Sequence, residues 1–131
     1  ELFEGTHNFK QTGGNSFKLS LYTNSAVLGK STTSFTTDAQ VSNSGQYTSG
    51  GGALVNGGTS LSTNTAIVDF ADRSFTGVTL TARGALIYND TASGDPAVCV
   101  LDFGGDKTAT SGTFTIQFPA FTASAAILRV T

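Results

Sequence analysis

One histidine, His7, and one cysteine, Cys99, are the only imidazole and thiol in this chain of 131 residues. A thiol nucleophile needs a base to take its proton and a third group to orient that base. His7 lies near the start of the chain, far in sequence from Cys99, which sits in the apolar run Ala97 to Leu101. There a free cysteine behaves as a small core hydrophobe, so an inert buried thiol is expected, and a single cysteine cannot form an internal disulfide. The acids Asp69, Asp72, Asp90, Asp95, Asp102 and Asp106 could supply oxygens to Ca²⁺, which takes six to eight of them from alternating loop positions. Asp90 to Asp95 lacks those alternating ligands and the closing Glu, so these residues read as separate turn acids. Glycoside hydrolysis needs two facing carboxylates and is usually joined by aromatic sugar platforms, but the chain has no Trp. No catalytic, metal-binding or cofactor-binding residue is nominated, and no cofactor is expected.

Three short motifs imitate chemistry without its context. Asp102-Phe103-Gly104 spells a kinase tripeptide, but no His-Arg-Asp loop or nucleotide loop accompanies it, and a strand end followed by the turn Gly104-Gly105-Asp106 explains it better. Gly50-Gly51-Gly52 is followed by no Gly-Lys-Ser/Thr, so it reads as a flexible or close-packed turn. Asn89-Asp90-Thr91 is a glycosylation sequon, meaningful only in a secreted eukaryotic protein. Asp69, inside the run AIVDF, would need Arg73 or Arg83 if buried; an outward-facing acid guarding an edge strand is the expected arrangement.

Only 12% of residues are charged and the net charge is −2, so Ser, Thr, Asn, Gln and Gly must make most of the polar surface. The seven Lys and Arg are scattered from Lys10 to Arg129 and form no basic stripe of the kind that releases counterions from phosphates, which argues against nucleic acid as a partner. No apolar run approaches the ~20 residues that span a bilayer, and no signal segment is visible, so no membrane partner is expected. With Glu1 first and no Met in the chain, some preceding residues are expected to be missing.

Positioning these groups requires strands. Phe17, Leu19 and Leu21 alternate with Lys18, Ser20 and Tyr22 in a strand from Ser16 to Tyr22. Ala66 to Phe70 is a second strand. Ser74 to Tyr88 is a long strand or bent pair with Gly84 as a bulge, since Val78, Leu80 and Ala82 alternate with Thr79, Thr81 and Arg83. The nearly continuous apolar run Ala97 to Phe103 predicts a strand covered on both faces, Phe114 to Phe118 a half-buried one, and Ala126 to Val130 a last one. Residues 1–12 form an amino-terminal arm in which ELFEG resembles a helix end closed by Gly5. Residues 23–65 are rich in Ser, Thr, Asn and Gly and read as long loops or short edge strands. About seven or eight strands with turns between them predict an all-β chain, one antiparallel β-sandwich domain over residues 1–131, with immunoglobulin-like and jelly-roll connections both open.

The segments LFEGTHNFK, SFKLSLYT, YTSGGGAL, VDFAD, TARGALIYN, VLDFGGDK and FTIQFP, taken together, resemble a family of small virion structural proteins of tailed bacteriophages. The resemblance implies a non-enzymatic component of the virion, assembled in the cytoplasm of a bacterial host. Its favoured role is a capsid decoration or cement protein that braces the head shell. Its partners would be other virion proteins, the major capsid protein foremost, and homo-oligomers, a trimer included, are expected from lattice symmetry. A tail, neck or fibre component is the alternative within the particle, and a host-surface carbohydrate-binding module using Tyr22, Tyr47 and Tyr88 is the alternative outside it. Leu2, Phe3, Phe118 and Phe121 are the candidate protein-contact residues, because exposed apolar side chains mark interaction sites.

Overall fold

A computed structural model describes residues 4–131. Seven strands run antiparallel in two sheets: β1 (Phe17–Tyr22), β2 (Gly52–Ala53), β3 (Asn56–Ser62), β4 (Thr65–Phe70), β5 (Arg73–Asn89), β6 (Ala97–Ile116) and β7 (Leu128–Val130). The first sheet has the order β2-β1-β5-β6 and the second β3-β4-β7, so the architecture is an all-β sandwich with no helix among the described residues. Gly5 takes the left-handed φ of +73°, but Glu4 and Gly5 form a turn, and the rest of the expected helix end, Glu1 to Phe3, lies outside the described residues.

The alternation places Phe17, Leu19 and Leu21 of β1 and Phe75, Val78 and Leu80 of β5 in one core with Phe70 and Phe118. Phe17 meets Phe70 edge-on at 5.6 Å, which joins the two sheets, and Phe9 of the amino-terminal arm stacks on Phe17 at 4.8 Å. Aromatic pairs in such geometry add about 0.5–1.5 kcal/mol beyond their burial.

On the opposite face of β1 the polar Ser20 and Tyr22 are fully buried too. The segment between β1 and β2 lies over that face: Tyr22 donates to the Thr36 carbonyl at 2.6 Å, Tyr88 to the Gly50 carbonyl at 2.6 Å, and Phe35 stacks on Tyr88 at 4.6 Å. Residues 23–65 hold long loops and two edge strands, as expected; the edge strand β3, whose NGGTSLS carries no apolar period, is held by its ladder to β4.

The run Ala97 to Phe103 is not covered on both faces. It opens β6, an edge strand, and its residues are half-buried or exposed. The glycines after it do not end the strand either. Gly84 of β5 pairs with Asp102 and Ala82 with Lys107, so Phe103 to Asp106 bulge outward opposite the single Arg83, and β6 resumes through to Ile116. Gly84 marks this irregularity, as expected.

Asp69 is also corrected: β4 is the central strand of its sheet and the carboxylate is buried. Its Oδ1 accepts from the Phe70 amide at 2.9 Å, whereas Oδ2 has no hydrogen-bond partner among the described residues. Burial pushes this carboxyl above its ordinary range, against the pull of the Phe70 and Ile127 amides. Arg83 is engaged elsewhere, 3.9 Å from Asp102 and 3.5 Å from Asp106.

Candidate contact surface

The side chains with chemical potential are tied into the fold. Asn89 is buried and its Nδ2 points at the Thr6 carbonyl (3.2 Å), His7 Nδ1 (3.2 Å) and Asn15 Oδ1 (3.0 Å), while its Oδ1 accepts from the Thr91 and Ala92 amides. Two carbonyl-type acceptors around Nδ2 fix the amide orientation, so His7 Nδ1 accepts. His7 also packs its ring near Phe9 and Phe17, which makes it a linker of the arm to the β5–β6 turn. The same hub leaves the Asn89 amide no freedom to carry a glycan. Cys99 is half-buried, and desolvation pushes its thiol up to about 11, disfavouring the thiolate that reacts.

Asp102 and Asp90 are tied into the fold as well. Asp102 Oδ1 accepts from the Gly104 amide at 2.8 Å, where Gly104 has φ +71°, and Asp90 pairs with Lys18 at 2.9 Å. Such partly exposed pairs contribute at most about 1 kcal/mol. No group of three or more His, Cys, Asp or Glu is gathered to hold a metal ion among the described residues. In the glycine triplet, Gly51 has φ +84° and its Cα faces the Leu19 carbonyl so closely that a Cβ would lie 1.9 Å from that oxygen, a close-packed turn whose Gly50 and Gly51 amides donate to Gln40 Oε1 and the Thr48 carbonyl. Tyr22, Tyr47 and Tyr88 are all buried and present no face on which a sugar could stack.

What the fold leaves open is apolar surface. Cross-strand register places Leu61 of β3 opposite Ala66 of β4, and Ala66 opposite Val130 of β7, so these three share one face. Leu61 is 73% exposed and Val130 47%. The next row inward, Thr59, Val68 and Leu128, turns Val68 and Leu128 onto the core. The small sheet therefore projects past the large one, and a cleft of about 520 Å³ opens between Ala66, Val68 and Leu128 on one side and Phe9, Ala97 and Val98 on the other.

The residues nominated from sequence divide differently. Phe118 is core, 8% exposed, 5.9 Å from the Phe70 ring, with its amide held by Asp72 at 2.7 Å. Phe121, 43% exposed, stays available at the surface. Leu2 and Phe3 lie outside the described residues. Leu61 stands alone among Ser and Thr and gives no period, and Val130 ends the apolar run Ala126 to Val130 with no sign that it stays exposed; only the register across three strands brings them together. No protein-family model, curated protein or solved structure matches this chain.

Proposed function

We propose that this chain is a non-enzymatic structural protein of a tailed-phage virion, acting through protein contacts, with decoration of the head shell as its role. The observation that carries the binding part of this reading is the exposed apolar row Leu61–Ala66–Val130 at the mouth of an open cleft. Exposed apolar patches rimmed by polar residues serve as interaction sites, and the Ser/Thr-rich, weakly charged surroundings permit close approach without strong fields. The sequence segments that resemble the phage family supply the particle. Against the shell, each copy needs only a weak contact, because many copies on one lattice sum to a large stabilisation.

The test starts from particles that lack the protein. Deleting its gene should leave shells that assemble but lose DNA at lower temperature, and adding purified protein back should restore heat resistance at a copy number in the hundreds. Leu61→Asp combined with Val130→Asp should abolish the restoration without changing the thermal midpoint of the free protein, since both side chains are exposed. Normal heat resistance with missing tails or failed adsorption would overturn the shell role in favour of a tail component. Absence of the chain from purified particles would overturn the virion reading itself.

A further inference from the structure

The second half of β6 is an edge that nothing in the described fold covers. From Lys107 to Ile116 it pairs with β5 on one side only, and no described strand adjoins its other side. Natural edges are blunted by charge, proline, brevity or a bulge, and of these devices this stretch has only a bulge, at Thr110–Ser111. Thr108 to Gln117 contains neither a charged residue nor a proline. Beside this edge runs a groove of about 410 Å³ whose apolar lining is Phe103, Ala109, Phe114 and Ile116. Phe103, from the bulge, lies 6.1 Å from Phe114.

We propose that this edge is the self-association surface of the chain: two copies join β6 to β6 antiparallel across a two-fold axis, with Ala109 opposite Phe114 and Thr110 opposite Thr113 of the second copy. The register follows from the faces. In an unbroken strand, Ala109 and Phe114, five positions apart, would point to opposite sides. A bulge places Thr110 and Ser111 of β6 opposite Thr79 alone, Ser111 taking φ +46°, and this returns both Ala109 and Phe114 to the buried side. A two-fold through Ser111–Gly112 then matches small Ala109 with large Phe114 twice on the inner face, and Thr108 with Thr115 and Thr110 with Thr113 on the outer face. Charge agrees with the register. The stretch Thr108 to Ile116 carries no charge, so the two edges meet without repulsion, with Lys107 at the margin beside Ile116 of the second copy. Isologous pairing of this kind closes at two copies.

The inference concerns the purified chain in solution and does not depend on the virion reading. Sedimentation of the 131-residue chain should show a reversible monomer–dimer equilibrium. Thr110→Lys with Thr113→Lys sets like charges opposite each other twice and should weaken the dimer at least tenfold. Thr110→Lys with Thr113→Glu sets opposite charges there and should restore it. Both positions are exposed, so thermal midpoints at concentrations where each protein is monomeric should stay close to that of the parent chain. A monomer at millimolar concentration, a trimer, a dimer indifferent to the paired lysines, or failure of the Lys/Glu variant to recover would each overturn the proposal.

Discussion

Tyr47 carries one of the most exacting hydrogen bonds in the molecule. Its hydroxyl accepts from the Leu21 amide at 2.8 Å and lies 3.4 Å from Ser20 Oγ, and all three residues are fully buried. It thereby completes the outer side of β1 where β2 is too short to do so, because β2 pairs only with Lys18 and Leu19. Tyr47→Phe keeps the ring and its edge-on contact with Phe75 at 5.1 Å, but leaves the Leu21 N–H with no acceptor. An orphaned buried donor costs about 1–3 kcal/mol, so a loss of about 2 kcal/mol is expected. With an unfolding entropy of about 2.1 cal/mol/K per residue, that lowers the thermal midpoint by about 7 °C in a chain of 131 residues. Tyr22→Phe is the comparison. Its hydroxyl is a donor to the Thr36 carbonyl, and a carbonyl left under-satisfied is tolerated better than an orphaned amide, so less than about 1 kcal/mol is expected. Urea unfolding at pH 7 with a common slope measures both. A Tyr47→Phe loss below about 0.5 kcal/mol, or one smaller than that of Tyr22→Phe, would refute the reasoning.

Gly51→Ala should lose about 3 kcal/mol or more, or yield no soluble protein, because φ is +84° and the new Cβ would overlap the Leu19 carbonyl; Gly105→Ala, with open space around it, should be near neutral in the same denaturation assay. For Asp69, a folded-state value raised above the ordinary 3.8 means that its buried charge costs stability above the folded value, and that this cost is relieved as pH falls through the folded value toward 3.8. Asp69→Asn removes this titration but sets an amide N–H₂ where Oδ2 has no partner, so the expected outcome is a flattened pH dependence of the urea midpoint above 3.8 rather than a gain in stability at pH 7; an unchanged profile would show the carboxyl to be effectively solvated. Cys99, with its thiol pushed up to about 11, should react with a disulfide reagent at pH 8 many times more slowly in the native protein than in urea, and equal rates would mean that the half-buried thiol is in fact open to solvent. His7→Ala should leave any particle assembly intact and cost only local packing, since Asn89 Nδ2 keeps the Thr6 and Asn15 oxygens; loss of infectivity by a folded variant would reveal a role beyond this link.

Strands that bury one face were legible because a period of two survives in the residues themselves. Phe17-Leu19-Leu21 and Val78-Leu80-Ala82 project to one core, and Gly84 marked the bulge. Where burial comes from the rest of the chain, the pattern failed. Nothing in the alternation of β1 shows that Ser20 and Tyr22 are buried: the polar segment that follows folds back over them, and a stretch rich in Ser, Thr and Gly carries no sign of what it will cover. Ala97 to Phe103 fails in the opposite sense, since a continuous apolar run predicts cover on both faces and instead lies at a sheet edge. Phe118 and Phe121 show the same limit for the contact surface. Only two residues separate them, but one packs in the core and the other faces solvent, a difference set by how the chain turns after β6.

The way the edges are treated bears directly on how the chain associates. The outer side of β1 is closed by β2, by the Gln40 bridge to Tyr22, by the Val41 amide on the Leu21 carbonyl and by Tyr47. The start of β6 is closed by Ser34 bridging Pro96 and by the Ala97 amide on the Thr33 carbonyl. β7 is three residues long and carries Arg129, and β3 is irregular between Asn56 and Thr59 and mostly polar. Each of these is a known way of discouraging strand addition. Lys107 to Ile116 has no described strand beside it and no charge after its first residue; it keeps only the bulge at Thr110–Ser111, and an apolar groove lies alongside. Its bulges bend the ladder to β5 without placing charge on the open side. An edge left in that state would invite uncontrolled addition unless pairing were limited by register, and a two-fold pairing is self-limiting because each copy occupies the only such edge of the other among the described strands. The same feature that could make the chain aggregate is thus the one on which the proposed closed dimer rests.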